Sequence, residues 1–391
     1  MKRVVVTGLG VVSPFGTGVK AYWAGLTAGT CMIRPLSLIE TDGFRCRIGA
    51  EVPEIAGGSR RRSRADRLAL LAAREAVDDA GLGKRERLDT ALVVGAVGGG
   101  MLEAEAWQWT RMRTGTERDP GIFRSVLPYS HAETVGHALG LGGPRESVVA
   151  ACSSGAAAVA LAADLVADGV VPYAIAGGAD ALTRICYMGF NALKLLDTAP
   201  CRPFDRDRRG MSIGEGAAFL VLEDAEMARA RGVRTYVELR GAAITTDAYH
   251  PTAPHPDGDG MTRAMREALR RARTAAHDIA YVNAHGTATP QNDRIEARSI
   301  RDVFGDGRVL VSATKSMIGH TMAAAGSLEA AATILAVAHD LVPPTANHET
   351  ADPDVAFDCV PKTARDVGVD VALSNSFGFG GQNVTLVFAK S

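Results

Sequence analysis

Charge of one sign is missing from this chain. Its 43 Lys and Arg are set against 44 Asp and Glu, a formal net charge of -1 over 391 residues. Basic residues matched this closely by acidic ones exclude a broad phosphate-gripping surface, so no nucleic-acid partner is expected. Cysteine is sparse: six residues, none in a Cys-x-x-Cys pair. That usage argues against a disulfide framework and for reduced thiols in a cytoplasmic, cytosol-like compartment. No apolar stretch reads as long and uninterrupted enough to span a bilayer, so no membrane partner is expected. The opening Met1-Lys2-Arg3 and Val4-Val5-Val6 imitate a signal peptide, but Gly8, Gly10, Pro14 and Gly16 break the apolar run early and no small-residue cleavage site follows. It reads as a buried first strand and a turn. Pro- or Ser-rich linkers and short-period repeats are also missing, which points to tightly packed parts.

One local exception stands against the charge balance. Arg60, Arg61, Arg62, Arg64 and Arg67 cluster, either as a solvated loop and helix start or as a landing patch for an acidic partner.

What the chain does contain is alternation. Short apolar β-rich runs at 4–7, 91–95, 147–151, 173–177, 217–222, 281–284, 309–312, 371–375 and 384–388 read as strands. Longer Ala-rich amphipathic runs at 66–80, 131–139, 153–168, 261–273, 293–303 and 321–339 read as helices. Such alternation is the pattern of α/β layering, and the nearly continuous apolar strands suit sheets covered on both faces. A length of 391 residues exceeds the usual single core, so two core regions or one large fused unit are expected. A coarse symmetry supports two: a strand, a reactive residue, then an Ala-rich helix recurs in each half. The division falls near Arg234, giving halves 1–234 and 235–391.

Four motifs carry chemistry. Cys152 follows the apolar run Val148-Val149-Ala150-Ala151 and precedes Ser153-Ser154-Gly155-Ala156. A thiol there faces the positive end of a helix and free N–H groups, which favours the nucleophilic thiolate; a buried structural Cys fits the local pattern equally well. His285 ends a strand and enters Gly286-Thr287-Ala288-Thr289-Pro290, a hydroxyl-rich turn suited to ligand contact. His320, in Lys315-Ser316-Met317-Ile318-Gly319-His320, precedes a long helix. A helix start keeps such an imidazole neutral, able to donate to a developing oxyanion. Lys315 either sets the local electrostatics or is a buried Lys paired with a carboxylate such as Glu329. Finally, Gly flanks Phe379 in Gly378-Phe379-Gly380-Gly381. That loop can present a backbone N–H as part of an oxyanion hole, swing a ring as a gate, or simply be a tight hairpin.

Taken together, these motifs resemble the β-ketoacyl-acyl carrier protein synthases, of the elongating synthase II type and the type II polyketide ketosynthases. The resemblance runs from Val4-Val5-Val6-Thr7-Gly8-Leu9-Gly10 through Arg202-Pro203-Phe204-Asp205, Gly214-Glu215-Gly216-Ala217 and Asp247-Ala248-Tyr249-His250 to the Gly-Phe-Gly-Gly segment. It implies a thiolase fold, two similar α/β halves in five α-β-α-β-α layers, carrying Cys152 in the first half and both His in the second. It implies that Cys152 accepts an acyl chain as a thioester from acyl carrier protein. His285 and His320 would then promote malonyl decarboxylation and stabilise the enolate. Backbone N–H groups of Cys152 and Phe379 would form the oxyanion hole, Thr287 and Thr289 would contact phosphopantetheine, and Lys315 and Glu329 would support the site. No metal and no bound cofactor is implied, because phosphopantetheine arrives on the carrier protein. A homodimer, or a heterodimer with a chain-length factor, is implied. The arginine cluster is then a candidate landing patch for the carrier.

Departures from the family pattern are Gln291-Asn292 before Asp293, where relatives carry Gly before Asp, and Gln382 where they carry Thr. The segments 55–67 and 128–143 look compressed. These lean the reading toward a specialised type II polyketide or polyene-like pathway, with housekeeping fatty-acid elongation as the alternative. A non-catalytic chain-length factor or a ketosynthase-like acyltransferase fits less well, because Cys152, His285 and His320 are all present. Met101, Leu102, Tyr187 and Phe190 are candidate acyl-wall residues. Two decoys are set aside: Gly210-Met211-Ser212-Ile213-Gly214 mimics a hydrolase elbow with its strand on the wrong side, and Gly8-Leu9-Gly10 lacks the helix of a dinucleotide loop.

Overall fold

The computed structural model describes residues 2–55, 62–116, 120–307 and 309–391. Ten strands build its main sheet: β1 (Val4–Ser13), β2 (Thr90–Gly95), β3 (Arg145–Val148), β4 (Tyr173–Asp180), β5 (Gly216–Asp224), β6 (Val237–Thr246), β7 (Tyr281–Asn283), β8 (Leu310–Ser312), β9 (Val371–Gly378) and β10 (Gln382–Ala389). A short strand, Gly16–Thr17, pairs beside β1.

The strand order is β8-β7-β9-β10-β6-β1-β5-β4-β2-β3. Read outward from the middle, it is one pattern used twice. The first half runs β1-β5-β4-β2-β3 and the second β6-β10-β9-β7-β8. In both, the first two pairings are antiparallel and the last two parallel. The halves meet along a short seam, where Val5 pairs with Glu238 and Val6 with Val237.

Five helices complete the layers: α1 (Arg64–Asp79), α2 (Ser154–Ala167), α3 (Asp259–Ala272), α4 (Pro290–Phe304) and α5 (Ala325–His339). Helices α2 and α5 lie between the two half-sheets. Ala156, Val159, Leu328 and Ile334 share one core with Val6, Leu9, Leu220 and Leu222 of the first half and Leu386 and Phe388 of the second. A helix with sheet on either side needs apolar residues all round, which is why α5 is buried from Ala325 through Val337. Strand side chains alternate between faces, so Phe219 and Val221 point the other way, onto Leu68, Ala72 and Ala76 of α1. Likewise Leu373 and Val387 face Met265 and Leu269 of α3 and Ile300 of α4. The result is the expected five layers.

Gly8 and Gly10 serve this packing rather than any ligand. A Cβ on Gly10 would stand 1.9 Å from the Ala72 carbonyl oxygen of α1, and one on Gly8 2.2 Å from that of Ala76.

Several expectations need correction. The segment Met322–His339 is, by length and composition, apolar enough to cross a membrane, contrary to the reading that no stretch is; it is 89% buried inside the protein, where α5 fills the central layer. The strand expected at 147–151 ends at Val148. Strand β6 was not foreseen, because charges at Glu238 and Arg240 interrupt its apolar run; it alternates between buried and more exposed positions. Helices Met101–Thr114 and Arg184–Ala192 were missed too; the first buries none of its residues, so it carries no apolar stripe to read.

The arginine cluster also changes meaning. Arg60 and Arg61 lie outside the described residues. Arg64 is buried and pairs with Glu215 at 2.6 Å, and Arg67 is half-buried. Glu215, inside the Gly-Glu-Gly motif, also accepts the backbone N–H groups of Val52 (2.9 Å) and Leu182 (3.1 Å). Arg64 is therefore a core tie between α1 and the first half-sheet, unavailable as a landing point.

Candidate active site

The duplicated topology explains why the site residues meet. Cys152 follows β3, and His320 follows β8, its counterpart in the second half. His285 follows β7 and Phe379 follows β9. Strands β8, β7 and β9 are neighbours, whereas β3 stands at the other end of the strand order, so the cavity is where the two halves bring their corresponding strand ends together. Cys152, His285, His320, Thr287, Thr289 and Phe379 line a single cavity of 230 Å³.

Cys152 lies in a 3-10 turn, Ala151–Ser153, that precedes α2. Ala151 adopts a φ of 47°, a left-handed conformation that is strained for a residue with a Cβ. Side chains hold the turn: Ser153 Oγ donates to the Ala150 carbonyl (2.7 Å) and Ser154 Oγ to that of Ala151 (2.6 Å). The expectation of a low thiol pKa is overturned. Burial pushes the Cys152 thiol up to about 11, outweighing the Phe379 N–H bonded to its sulfur and the nearby Lys315 charge. Desolvation of the charged form exceeds what the turn's N–H groups return, so the resting group is a thiol.

The loop after β9 is both a hairpin and a donor. Gly378 pairs with Gln382, and Gly380 and Gly381 take left-handed φ values of 81° and 77°. A Cβ on Gly378 would stand 2.8 Å from the Ala150 carbonyl oxygen. Only glycine lets the loop approach the Cys152 turn this closely. The Phe379 ring packs on Phe190 at 5.9 Å, against the cavity wall.

The two imidazoles stand edge to face, 5.6 Å apart. Their hydrogen bonds assign the same tautomer to each. His320 Nδ1 accepts the Met322 backbone N–H at 3.2 Å. His285 Nδ1 faces the Lys315 Nζ donor, also at 3.2 Å. With both Nδ1 atoms accepting, both Nε2 atoms carry hydrogen. Burial, then the Lys315 charge, holds both His well below the ordinary imidazole range; His320 adds to this for His285. The neutral state expected of His320 is present, but burial and Lys315 cause it. His320 is followed by the 3-10 turn Met322–Ala324, and α5 begins only at Ala325.

Lys315 takes both of the roles left open for it. Its ammonium pairs with Glu329 and also donates to the His285 carbonyl at 2.6 Å. Burial raises Glu329 to about 7 against the pull of Lys315. Thr287 and Thr289 hydroxyls lie 2.9 Å from each other at the cavity wall.

Three carboxylates were given no role from the sequence, although Asp247 stands in a quoted motif. Glu296 accepts the backbone N–H groups of His285 and Gly286, each at 2.8 Å, and so fixes the turn that presents His285; burial pushes it up to about 8. Asp180, at the end of β4, accepts N–H from Gly98 (2.7 Å) and Ala323 (2.9 Å), tying the halves together behind the site. Asp247 accepts from Asn383 Nδ2 at 2.7 Å and lines the cavity. The Asp293-x-x-Glu296 spacing and the Asp247-Ala248-Tyr249-His250 motif were the available signals. Of the departures, Asn292 lines the cavity and donates to Asp293 Oδ1 (3.2 Å) and Glu296 Oε2 (3.3 Å); Gln382 Oε1 accepts from Thr246 Oγ1 (3.4 Å). Of the wall candidates, Phe190 lines the cavity, while Tyr187 and Leu102 belong to the apolar cluster that also contains Phe190. Met101 lines no part of it. Ser212, in the elbow decoy, is buried and accepts the Cys201 N–H at 3.1 Å.

Comparison with known proteins matches residues 1–228 to the family model "Beta-ketoacyl synthase, N-terminal domain" and residues 236–349 to "Beta-ketoacyl synthase, C-terminal domain". The 3-oxoacyl-[acyl-carrier-protein] synthase 2 of Synechocystis sp. is 40% identical over 408 residues, covering 100% of this chain and 98% of the relative. The tetracenomycin polyketide synthase ketoacyl synthase alpha subunit of Streptomyces glaucescens is 39% identical, covering 100% and 97%. Among solved structures, a chain of the ishigamide ketosynthase/chain length factor superposes with a TM-score of 0.96 at 37% identity, covering 100% of this chain and 99% of that one. A chain of a type II PKS acyl-carrier protein complex with its ketosynthase gives 0.93 at 29% identity, with 100% of both chains covered.

Proposed function

Since this chain belongs to the β-ketoacyl synthase family, and is a ketosynthase of the acyltransferase class, we propose that Cys152 is its acyl-accepting nucleophile and that His285 and His320 drive the condensation. One observation carries this reading: the thiol and two neutral Nε2–H donors line one buried cavity. Cys152 sulfur attacks the acyl thioester carbonyl, and the carrier thiol leaves with the proton that the Cys152 thiol gives up. The N–H groups of Cys152 and Phe379 receive the oxyanion. Malonyl-acyl carrier protein then loses CO2. Its thioester oxygen takes the negative charge between the two imidazole donors, and the resulting carbanion attacks the Cys152 thioester carbonyl. The C–S bond breaks, the β-ketoacyl chain leaves on the carrier, and the Cys152 sulfur departs as thiolate and takes up a proton from solvent to restore the thiol. Neutral donors suit this step, because they stabilise the enolate without quenching it by protonation.

Lys315 and Glu329 support the pair electrostatically, and Thr287 and Thr289 contact the phosphopantetheine arm that the carrier brings. No permanently bound cofactor is required. The partners are acyl carrier protein and a second ketosynthase-like subunit, either a copy of this chain or a chain-length factor; the acyl-carrier-protein complex supports the first and the ishigamide ketosynthase/chain length factor supports the heterodimer. The functional halves divide near Arg234, a reading supported by the gap between the two family matches. Localisation in the cytoplasm fits the free state of its six cysteines.

The pathway reading is a specialised type II polyketide or polyene-like one, supported by Gln291 and Asn292 at the cavity and by the high TM-score to the ishigamide protein. Housekeeping elongation is the rival, supported by the synthase 2 relatives. Intact mass after incubation with acyl-carrier protein tests the nucleophile: an acyl gain is expected in the wild type and none in Cys152→Ala. A gain retained by the mutant would overturn the assignment. Extension of saturated fatty acyl chains at the rate of a housekeeping synthase would overturn the pathway reading.

A further inference from the structure

Of the arginines at 60–67, Arg64 is bound to Glu215 in the core and is no landing point for a carrier. A second basic row lies on α4. Arg294, Arg298 and Arg301 are spaced for one helical face and line a groove of 510 Å³ with Pro256, Gln291, Pro353 and Asp354. This groove adjoins the catalytic cavity. Gln291 lines both, and one loop borders both, with residues Thr252, Ala253 and Pro254 on the cavity and Pro256 on the groove.

The three arginines differ in how they are held. The Arg298 guanidinium donates to the Pro256 carbonyl, which anchors the helix to the cavity's own loop. Arg294 and Arg301 are exposed and form no ion pair among the described residues. One carboxylate, Asp354, lines the groove against three guanidinium groups. In a chain with a net charge of -1, this is a local concentration of positive charge beside the entrance to the reacting thiol. Guanidinium forks match carboxylates bidentately, and exposed positive charge beside a site steers an acidic partner onto it.

We propose that the Arg294–Arg298–Arg301 groove receives an acidic face of the acyl carrier protein, so that its arm enters past Gln291 to Cys152. The proposal rests on the reading of Cys152 as the nucleophile that a carrier acylates. The partner is a protein surface rich in Asp and Glu, and its association depends on ionic strength because the contacts are exposed.

The test compares two acyl donors on the full chain: octanoyl-loaded acyl carrier protein and the octanoyl thioester of N-acetylcysteamine, which has no protein surface. The variants are Arg294→Glu/Arg301→Glu and the milder Arg294→Gln/Arg301→Gln. Both changes are on exposed side chains, and an unchanged melting temperature verifies folding. With carrier, kcat/KM for Cys152 acylation is expected to fall about 10-fold or more in the charge-reversed variant, less in the neutral one, and to lose much of its salt dependence. With the small thioester, the rate is expected to stay as in the wild type. An unchanged carrier rate, or an equal fall with both donors, would overturn the docking proposal. If neither donor acylates the wild type, the nucleophile reading itself fails, and docking with it.

Discussion

At the residue scale, the buried Lys315–Glu329 pair makes the clearest prediction. Removing one member of a buried pair leaves an uncompensated charge, which costs about 3–5 kcal/mol. Lys315→Met is therefore expected to destabilise by that much at pH 8, read as a loss of denaturation midpoint. The pH dependence has a definite sign. Glu329 has a folded pKa of about 7, above the ordinary carboxylate value, so between the two the folded state binds more proton than the unfolded state. Its contribution to stability is present at low pH and is lost as pH rises through about 7. Without Lys315 the carboxyl is harder still to ionise, so the penalty should shrink at pH 5, where Glu329 is the neutral acid. Equal penalties at both pH values would contradict this account. Cys152 gives a second prediction. With the thiol pushed up to about 11, iodoacetamide alkylation of the free enzyme should climb about tenfold per pH unit from 7 to 10 without a plateau. A plateau below pH 8 would mean that the turn's N–H groups outweigh burial after all.

At the element scale, the site depends on close backbone approaches that only small residues allow. A Cβ on Gly155, three residues after Cys152, would stand 2.7 Å from the Ala323 carbonyl oxygen and 3.0 Å from the Ser327 nitrogen, so α2 and the start of α5 would have to separate. Gly155→Ala is expected to cost about 1–3 kcal/mol, since overpacking a rigid contact forces backbone shifts, and to slow acylation by displacing Cys152. A melting temperature equal to wild type would show that the helices can give. Most of these elements were legible. The strands before His285 and His320, and the helices after Cys152 and His320, could be read because apolar runs and Ala-rich runs keep their periods there; of β3, the apolar run at 147–151 catches only the last two residues. Strand β6 was hidden because its Glu238 is placed to meet Arg3, at 2.7 Å, across the seam between halves, a contact that no local window contains. The end of β3 was overshot because Val149 is as apolar as a strand residue yet is 61% exposed beside the turn.

For the whole molecule, the strand order ends on β3, whose edge is open in the single chain, and Val149 is exposed next to it. An open edge with an exposed apolar neighbour is a surface that proteins usually cover. The chain alone, or with its ketosynthase-like partner, is expected to scatter light as a dimer, twice the 40.9 kDa chain mass for a homodimer. Val149→Asp should shift that equilibrium toward monomer by at least about tenfold in dissociation constant, because a buried unpaired charge costs more than 1.4 kcal/mol. A fully dimeric Val149→Asp protein would place the interface elsewhere.

By itself, the sequence determined the layered α/β class, the doubling of a strand–reactive residue–helix unit, and the identities of Cys152, His285, His320, Lys315 and Phe379 as the residues worth bringing together. Those are local matters, since periodicity and motif are carried by neighbours along the chain. Only the tertiary structure decided the protonation states and the free charges. Whether Cys152 rests as thiol, why His320 is neutral and which arginines face water all depend on burial and on partners far away in sequence. Arg64 finds Glu215 across 151 positions, and the sequence lists both without saying that they meet.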